Sequence, residues 1–149
     1  MQFLKKVIFL FFLLIIIIWF YTNSLIGVNQ ITKNYLQNLK ETLKEKGFQP
    51  NLFVISGRRW QLDNYLLNTF GGAAKKSQHL KGNAIDIIVF DINNDGKRNT
   101  KDVDIVYKLL NDKIINQKGG IGTYKNTNGF FNRQMIHFDC RGYAARWHR

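Results

Sequence analysis

The apolar residues of this chain begin with one unbroken run near the N-terminus. Residues 7–21 contain no charge, no polar amide and no glycine. Lys5 and Lys6 come directly before the run, as in the positively charged start of a signal peptide or membrane anchor. Fifteen residues are fewer than the about 20 of a membrane-spanning helix, although apolar residues up to Val28 could extend the segment. The pattern therefore predicts a targeting or anchoring segment.

This segment divides the chain into two parts. We expect residues 1–28 to be a signal peptide or an inner-membrane anchor, and residues 29–149 to be one folded domain. No small-residue cleavage site follows the run, which favours an anchor over residues 7–28, with a cleaved signal as the alternative. A buried core helix would normally show a polar face, and this run has none. Either form places the domain outside the cytoplasm, in the periplasm or cell envelope.

Downstream, the apolar positions fall into short periodic segments. Helical spacing is found at residues 31–46, 61–70 and 103–110. Strand-like runs are found at residues 52–55, 84–90 and 135–140, and a turn with a short strand at 119–124. Gly47 and Pro50 mark the end of the first helix. Helices and strands alternate irregularly, which predicts an α+β domain with a small antiparallel sheet and flanking helices.

The charge balance is strongly basic, with 22 Lys and Arg against 10 Asp and Glu. The basic residues are scattered, and no basic helix or basic-aromatic repeat of a nucleic-acid-binding module is found. A polyanionic envelope or wall is the more natural partner for an exported basic protein. The scattered distribution of the basic residues therefore argues against a nucleic acid as partner.

The only cysteine is Cys140, which excludes an intramolecular disulfide. It alternates with His137 and Asp139 along a predicted strand, so its side chain should point to the opposite, core side. We expect a buried, inert thiol there.

Two histidines and a carboxylate are the candidate chemistry. His79 and Asp86 lie in a loop that leads into a strand, and Gly82 between them can turn the chain back. His137 lies in the last predicted strand. Two imidazoles and one carboxylate are the usual protein ligands of a catalytic zinc, which keeps a fourth position open for water. These residues predict a zinc site, whereas His148 in the C-terminal tail belongs to no such pattern.

The clearest resemblance to a known family lies around His79. There the sequence reads Ser77-x-His79-x-x-Gly82-x-Ala84-x-Asp86, similar to the SxHxxGxAxD signature of M15-type zinc D-Ala-D-Ala peptidases of the hedgehog/DD-peptidase fold. Other segments resemble the murein peptidases whose last ligand lies in a His-x-Asp strand: Ser56-Gly57-Arg58-Arg59, Gly119-Gly120-Ile121-Gly122, His137-Phe138-Asp139 and Arg146-Trp147. The resemblance covers residues 31–149.

This resemblance implies a cofactor, a substrate and a role for an arginine. It implies that His79, Asp86 and His137 hold zinc, and that the substrates are stem or cross-link peptides of peptidoglycan. It also implies that Arg58 binds a substrate carboxylate or polarises the scissile carbonyl, for which guanidinium donors are suited. The alternative for Arg58 is a structural ion pair.

The proton acceptor is less well defined. Some members of the family carry Glu or Asp three residues before the last histidine, where this chain has Gln134. Residues two apart in a strand face the same side, so Asp139 lies beside His137 and is the candidate general base. The alternative is that Asp139 orients the His137 imidazole by a hydrogen bond.

The predicted activity is zinc-dependent hydrolysis of peptidoglycan peptide bonds, with a zinc-activated water as nucleophile. A D-Ala-D-Ala carboxypeptidase and a murein endopeptidase are both compatible with the sequence. One alternative is a non-catalytic, zinc-containing wall-binding module, which the missing acid at Gln134 favours. The other is a zinc amidohydrolase that acts on a different amide of the envelope.

A second candidate metal site follows the strand at residues 84–90. Its loop has the layout of an EF-hand calcium loop, with glycine at position six and a helix after it. The candidate calcium residues are Asp91, Asn93, Asp95, Lys97 (through its backbone carbonyl), Asn99 and Asp102. Position twelve is Asp instead of the usual Glu, which resembles dockerin loops, and a strand precedes the loop. The alternative is a solvated turn rich in Asn, Asp and Gly.

Overall fold

The computed structural model describes residues 2–23, 25–71, 74, 76–125 and 134–149. Its α-helices are α1 (Gln2–Asn23), α2 (Gln30–Glu45), α3 (Gln61–Gly71) and α4 (Thr100–Leu109). A 3-10 helix covers Gln78–Lys81, and a π-helical turn, Leu110–Ile115, continues α4. The strands are β1 (Leu52–Ser56), β2 (Ala84–Val89), β3 (Gly120–Tyr124), β4 (Met135–Asp139) and β5 (Ala145–His148).

The strands form one sheet in the order β1-β2-β4-β3-β5. Neighbouring strands are antiparallel except for β3 and β5, which are parallel. This mostly antiparallel sheet with flanking helices confirms the predicted α+β class. Strand β2, which lies between β1 and β4, is buried along its whole length, because it is covered on both faces.

The two faces of the sheet have different roles. Alternate residues of a strand point to opposite sides, and one side carries the hydrophobic core, to which α2 and α4 contribute. The strand residues of that core include Ile85, Ile87, Ile121, Ile136 and Phe138. The opposite face, called the site face below, carries the polar residues between them. Asp86 of β2 and His137 and Asp139 of β4 are all buried there.

Helix α2 shows how the local sequence sets an element. Leu36, Leu39 and Leu43 are buried along one side of it, as the apolar spacing predicts. The Asn29 side chain caps its first turn by accepting a hydrogen bond from the Ile31 backbone N–H. The helix ends before Gly47, whose φ of 75° is a conformation that glycine adopts without strain. The predicted helix at residues 31–46 is confirmed.

Most of the other predicted elements are present, with two additions. Strand β5 and the 3-10 helix that carries His79 were not predicted. Cys140 is half-buried, and its sulfur accepts a hydrogen bond of 3.2 Å from the Thr32 hydroxyl of α2. The thiol therefore faces the α2 side, as predicted, although it is less buried than expected.

The apolar N-terminal run forms helix α1. Large apolar side chains from Leu4 to Ile17 are exposed along it. Among the helices that the structure describes, none is both long and apolar enough to traverse a lipid bilayer. The anchor over residues 7–28 and the domain boundary at residue 29 stay predictions.

Candidate metal centre

His79 reaches the site face through a tight local structure. The Ser77 hydroxyl caps the 3-10 helix by accepting from the His79 backbone N–H, and Gly82 ends the helix with a φ of 70°. A Cβ at Gly82 would lie 2.2 Å from the backbone oxygen of Gly27. Glycine is therefore needed both for the backbone conformation and for the close approach of residue 27. This turn returns the chain into β2, which carries Asp86.

Three donor atoms of His79, Asp86 and His137 converge at one point. The distances are 2.7 Å from His137 Nδ1 to Asp86 Oδ1, 3.1 Å from His79 Nε2 to Asp86 Oδ1, and 3.2 Å from His79 Nε2 to His137 Nδ1. A tetrahedral zinc at about 2.0–2.1 Å from each donor would hold them about 3.3 Å apart. The residues therefore fit zinc with small adjustments, and they form a group able to hold a metal ion.

The outer nitrogen of each imidazole is also bonded. His79 Nδ1 lies 2.6 Å from the Gly57 backbone oxygen, so it carries the hydrogen. His137 Nε2 lies 3.1 Å from Asp139 Oδ2 and donates to that carboxylate. In the neutral rings, both lone pairs then point at the Asp86 carboxylate. Three electron-rich atoms in contact repel each other unless a cation lies between them, as a metal ion would.

The segment after β1 encloses the centre from one side. Arg59 donates to Asp86 Oδ2 at 2.5 Å from Nη2 and to Ser56 Oγ at 2.8 Å from Nε. The Arg59 backbone N–H donates to the His79 carbonyl at 3.0 Å. Together with the Gly57 carbonyl, this turn fixes both His79 and Asp86.

Asp139 is bonded on every side. Its Oδ1 accepts from the backbone N–H of Gly120 at 3.0 Å and of Arg141 at 3.1 Å. The Arg141 guanidinium donates from Nε and Nη2 at 2.8 and 2.6 Å, while His137 donates to Oδ2. The residue is fully buried. Asp139 is thus a paired carboxylate that connects His137 to Arg141.

Burial and ion pairing set the charge states of His79 and Asp86. Burial lowers the pKa of His79, and Asp86 only partly offsets this. Burial alone would raise the pKa of Asp86, but the neighbouring His79, His137 and Arg59 outweigh it and hold the pKa well below its ordinary value. His79 is therefore neutral and Asp86 ionised near neutral pH, as metal ligation requires.

His137 and Asp139 form a second pair, in which the pKa of the histidine is raised instead of lowered. Burial would lower the pKa of His137, but hydrogen bonds to Asp139 and Asp86 outweigh it and raise the pKa above its ordinary value. Burial would raise the pKa of Asp139, but His137 and Arg141 hold it far below its ordinary value. In the metal-free protein a proton on His137 is thus favoured at the position that a metal would take.

The comparison with known families fits this geometry. A family model described as peptidoglycan L,D-endopeptidase MepK, of the M15-type peptidases, matches residues 26–147. The chain belongs to this M15-type murein peptidase family. No curated protein matches the chain. The matched range includes every residue of the centre described above and the whole sheet except His148, so this M15-type domain is a peptidoglycan peptidase by family.

Two other predicted positions lie outside the converging group. Arg58 is exposed, with its aliphatic stem beside Gly82. Gln134 lies at the start of β4 with a φ of 50°, and its side-chain amide donates to the Lys125 carbonyl at 3.2 Å. Its own carbonyl accepts from the Val89 backbone. Gln134 therefore links the start of β4 to the ends of β2 and β3, and its side chain bonds there instead of to the metal ligands.

Sequence reasoning missed several residues of the centre. Arg59, not its neighbour Arg58, binds Asp86. Arg141 binds Asp139, and Trp147 lies beside His137 with ring centroids 5.2 Å apart. The signals were present as the second arginine of the Ser-Gly-Arg-Arg segment and as the Arg146-Trp147 match. Only the fold shows which neighbour points inward.

The candidate calcium loop is a series of polar turns. The Asp91 carboxylate accepts from the backbone N–H groups of Asp95 and Gly96 at 3.2 and 2.8 Å. Asp102 is buried; its Oδ1 accepts from Ile92 N at 2.8 Å and its Oδ2 from Asn99 N at 2.8 Å. Asn99 and Asp102 form a capping box at the start of α4. The carboxylates of Asp91 and Asp102 therefore already stabilise the loop through backbone hydrogen bonds.

Proposed function

We propose that this chain is a zinc-dependent endopeptidase that hydrolyses peptide bonds in peptidoglycan cross-link or stem peptides. The observation that carries the proposal is the convergence of His79 Nε2, Asp86 Oδ1 and His137 Nδ1 within 3.2 Å on the site face. Two imidazoles and a carboxylate leave a fourth position open, as catalytic zinc sites do. Family membership supplies the substrate class.

His79, Asp86 and His137 would hold the zinc, which would supply Lewis-acid chemistry for activating water and polarising a peptide carbonyl. The chain contributes the orientation of its ligands. The Gly57 carbonyl and the Asp139 carboxylate hold the outer ring N–H groups, so that the inner nitrogens of both histidines keep their lone pairs free for the metal. Arg59 keeps Asp86 ionised and fixed in position.

The contacts of Asp139 favour the orienting role over the role of general base. A base must be able to take a proton, yet two groups of Arg141, the Gly120 N–H and His137 already occupy this carboxylate. Its lowered pKa makes it a weak proton acceptor. We infer that Asp139 holds the imidazole of His137, and that the proton is accepted elsewhere.

Arg58 suits contact with the substrate. It is exposed beside Gly82, close in sequence to Arg59, which binds a ligand of the centre. An exposed guanidinium there can bind a carboxylate of a murein peptide. The role proposed for Arg58 is therefore binding of substrate, with Arg59 holding the metal ligand.

The family description supports one choice of the bond that is cleaved. That description names an L,D-endopeptidase, which favours an internal cross-link or stem bond over removal of a terminal D-Ala. The D-Ala-D-Ala carboxypeptidase stays the second candidate, because both reactions use the same ligands.

The test is incubation of the purified full chain, loaded with zinc, with purified muropeptide monomers and dimers, followed by mass analysis. Split dimers or shortened stems with internal cleavage support the endopeptidase. Loss of only a terminal D-Ala identifies a carboxypeptidase, and unchanged substrates identify a binding module. His137→Ala should lose zinc and activity together, whereas the control His148→Ala should keep both. Hydrolysis by zinc-free His137→Ala protein would refute the zinc mechanism.

We also propose that the N-terminal segment directs the domain to the cell envelope. The lysines before the apolar run support export, and the substrate lies outside the cytoplasm. Fractionation of cells that express the full chain should place it with the membranes, and a variant lacking residues 1–28 should stay in the cytoplasm.

A structural calcium ion at Asp91, Asn93, Asp95, Lys97, Asn99 and Asp102 is the remaining proposal. Its support is the spacing of the oxygen ligands and of Gly96, which has a φ of 77°. The ion would tie the segment after β2 to the start of α4.

A further inference from the structure

The metal-binding face carries a tryptophan that the proposed reaction does not use. Gly122 of β3 is the register partner both of His137 on β4 and of Trp147 on β5. Because these three positions are adjacent across the sheet, they share the site face. The Trp147 and His137 rings are 5.2 Å apart between centroids and tilted by 44°. The indole therefore contacts the imidazole across the gap that Gly122 leaves.

Gly122 is needed because of the space that the indole fills. A Cβ at this position would lie 2.1 Å from Trp147 Cε2 and 2.2 Å from Nε1. The backbone of Gly122 does not adopt a positive φ, so an alanine would meet no conformational strain there. The requirement for glycine is therefore steric, and the three atoms nearest to such a Cβ all belong to Trp147.

The indole is itself fixed from two sides. Its Nε1–H donates to the Tyr124 hydroxyl at 3.2 Å. The Arg141 guanidinium lies 5.5 Å from the ring, at cation–π distance. Arg141 also binds Asp139, the carboxylate that accepts from His137 Nε2. The indole and the carboxylate thus form one connected support around the imidazole.

We propose that Trp147 is a positioning residue of the metal centre and that Gly122 is the position that admits it. The proposal rests on the proposed zinc function, because it concerns how His137 is presented to the metal. The χ2 angle of histidine has two broad wells, and a ring flip would put carbon atoms where Nδ1 and Nε2 now lie. The bond from Nε2 to Asp139 selects the orientation with Nδ1 toward Asp86. The indole on one side and His79, 5.0 Å away, on another restrict the tilt of the ring within that orientation.

The test is the zinc affinity of the full chain, measured by competition with a chromophoric chelator. Trp147→Ala and Gly122→Ala should each weaken zinc binding about 10- to 100-fold, as loss of a partner that orients a ligand does. Trp147→Phe should restore most of the affinity because it keeps an aromatic ring against His137. The matched control is His148→Ala, which removes a ring from the same strand on the opposite face, where it contacts Thr123 and Tyr107.

A double-mutant cycle separates this role from general destabilisation. If Gly122 serves only to admit the indole, Gly122→Ala should cost affinity in the wild-type chain and nothing further in Trp147→Ala. Additive losses, or losses equal to that of His148→Ala, overturn the proposal. If the wild-type protein binds zinc and cleaves muropeptides, and both variants keep wild-type zinc affinity, then only this proposal is refuted. Wild-type protein that does not bind zinc refutes the proposed function and this proposal with it.

A spectroscopic readout is independent of activity. In a variant with Trp19→Phe and Trp60→Phe, Trp147 is the only tryptophan left. Binding of Co²⁺ or Cu²⁺ next to His137 should quench its emission, and adding Gly122→Ala should reduce the quenching. Stoichiometric metal binding without quenching would show that the indole does not lie against the metal ligand and would overturn the proposal.

Discussion

The two candidate zinc histidines are held by different acceptors at their outer nitrogens. His79 donates to a neutral carbonyl, and His137 donates to the Asp139 carboxylate, which is itself paired with Arg141. A carboxylate acceptor increases the basicity of the imidazole, which strengthens its bond to a metal and also its bond to a proton. Burial lowers the pKa of both imidazoles. At His79 Asp86 offsets this only in part, whereas at His137 the hydrogen bonds to Asp139 and Asp86 outweigh it and raise the pKa.

Replacement of Asp139 by asparagine separates its two possible roles. If Asp139 orients His137, Asp139→Asn should weaken zinc binding about 10- to 100-fold, while turnover at saturating zinc falls much less. If Asp139 is the general base, zinc affinity should change little and kcat should fall about 100-fold or more. The measurements are chelator competition and steady-state kinetics. Asp104→Asn, a surface residue paired with Lys125, is the control.

The adjacent arginines offer a matched pair of variants. Arg59→Lys should weaken zinc binding about 10-fold, because one ammonium group cannot reproduce the guanidinium bonds to both Ser56 and Asp86. Arg58→Lys should leave zinc affinity unchanged and raise KM for murein peptides. If the two changes affected zinc affinity equally, the assignment of Arg59 to the metal ligand and of Arg58 to the substrate would be contradicted.

At the residue scale, the ligands could be predicted and their supports could not. His79, Asp86 and His137 belong to a spaced motif whose chemistry is visible in the sequence. The choice between Arg58 and Arg59 depends on the direction of one turn after β1. The pairing of Trp147 with His137 depends on a parallel strand partner, which no local pattern predicts. Side-chain direction in turns and in edge strands is decided by tertiary contacts.

At the scale of elements, periodicity predicted the helices and central strands well. Leu36, Leu39 and Leu43 fix α2, and β2 is apolar at every position except Asp86 because it is buried on both faces. Strand β5 was missed because it is only four residues long, although its residues alternate between apolar and polar. Residues 119–124 were predicted to form a turn and a short strand, and the strand is confirmed. Gly120 and Gly122 lie within it, where Gly120 leaves room for Asp139 and Arg141, and Gly122 for Trp147.

The loop between β2 and α4 gives an element-scale prediction. If it binds calcium, millimolar CaCl₂ should raise the Tm of the zinc-loaded protein. Calcium bound to the folded state adds RT ln(1 + [L]/Kd) to the free energy of unfolding. Asp95→Ala should abolish that gain, whereas Asp112→Ala, an exposed acid outside the loop, should keep it. An unchanged wild-type Tm in calcium would show that hydrogen bonds from Asp91 and Asp102 suffice to hold the loop.

At the scale of the whole molecule, one face of the sheet carries the hydrophobic core and the other carries the candidate metal centre. Its core face packs against α2 and α4, while the site face gathers the ionisable residues. Such a buried cluster makes folding depend on pH. The carboxylates Asp86 and Asp139 have lowered pKa values, so their stabilising effect is present above about pH 4 and is lost as the pH falls further.

The histidines act in opposite directions in the metal-free protein. The pKa of His137 is raised, so its contribution to stability is complete below about pH 6.5 and is lost as the pH rises through its folded pKa. The pKa of His79 is lowered, so its neutral form costs stability as the pH falls below about 6.5. The two pH ranges meet at about pH 6.5, so the Tm of the metal-free protein should be highest near that pH and should fall on either side of it.

Zinc changes this pH dependence, because the metal and a proton compete for His137 Nδ1. Binding near neutral pH must release the His137 proton, whereas His79 is already neutral. The gain in Tm on adding zinc should therefore be larger at pH 8 than at pH 6, and calorimetry should detect about one proton released per zinc at the lower pH. His137→Ala should show no such dependence. A zinc-induced gain in Tm that is equal at both pH values would mean that His137 does not bind the metal through the nitrogen that faces Asp86.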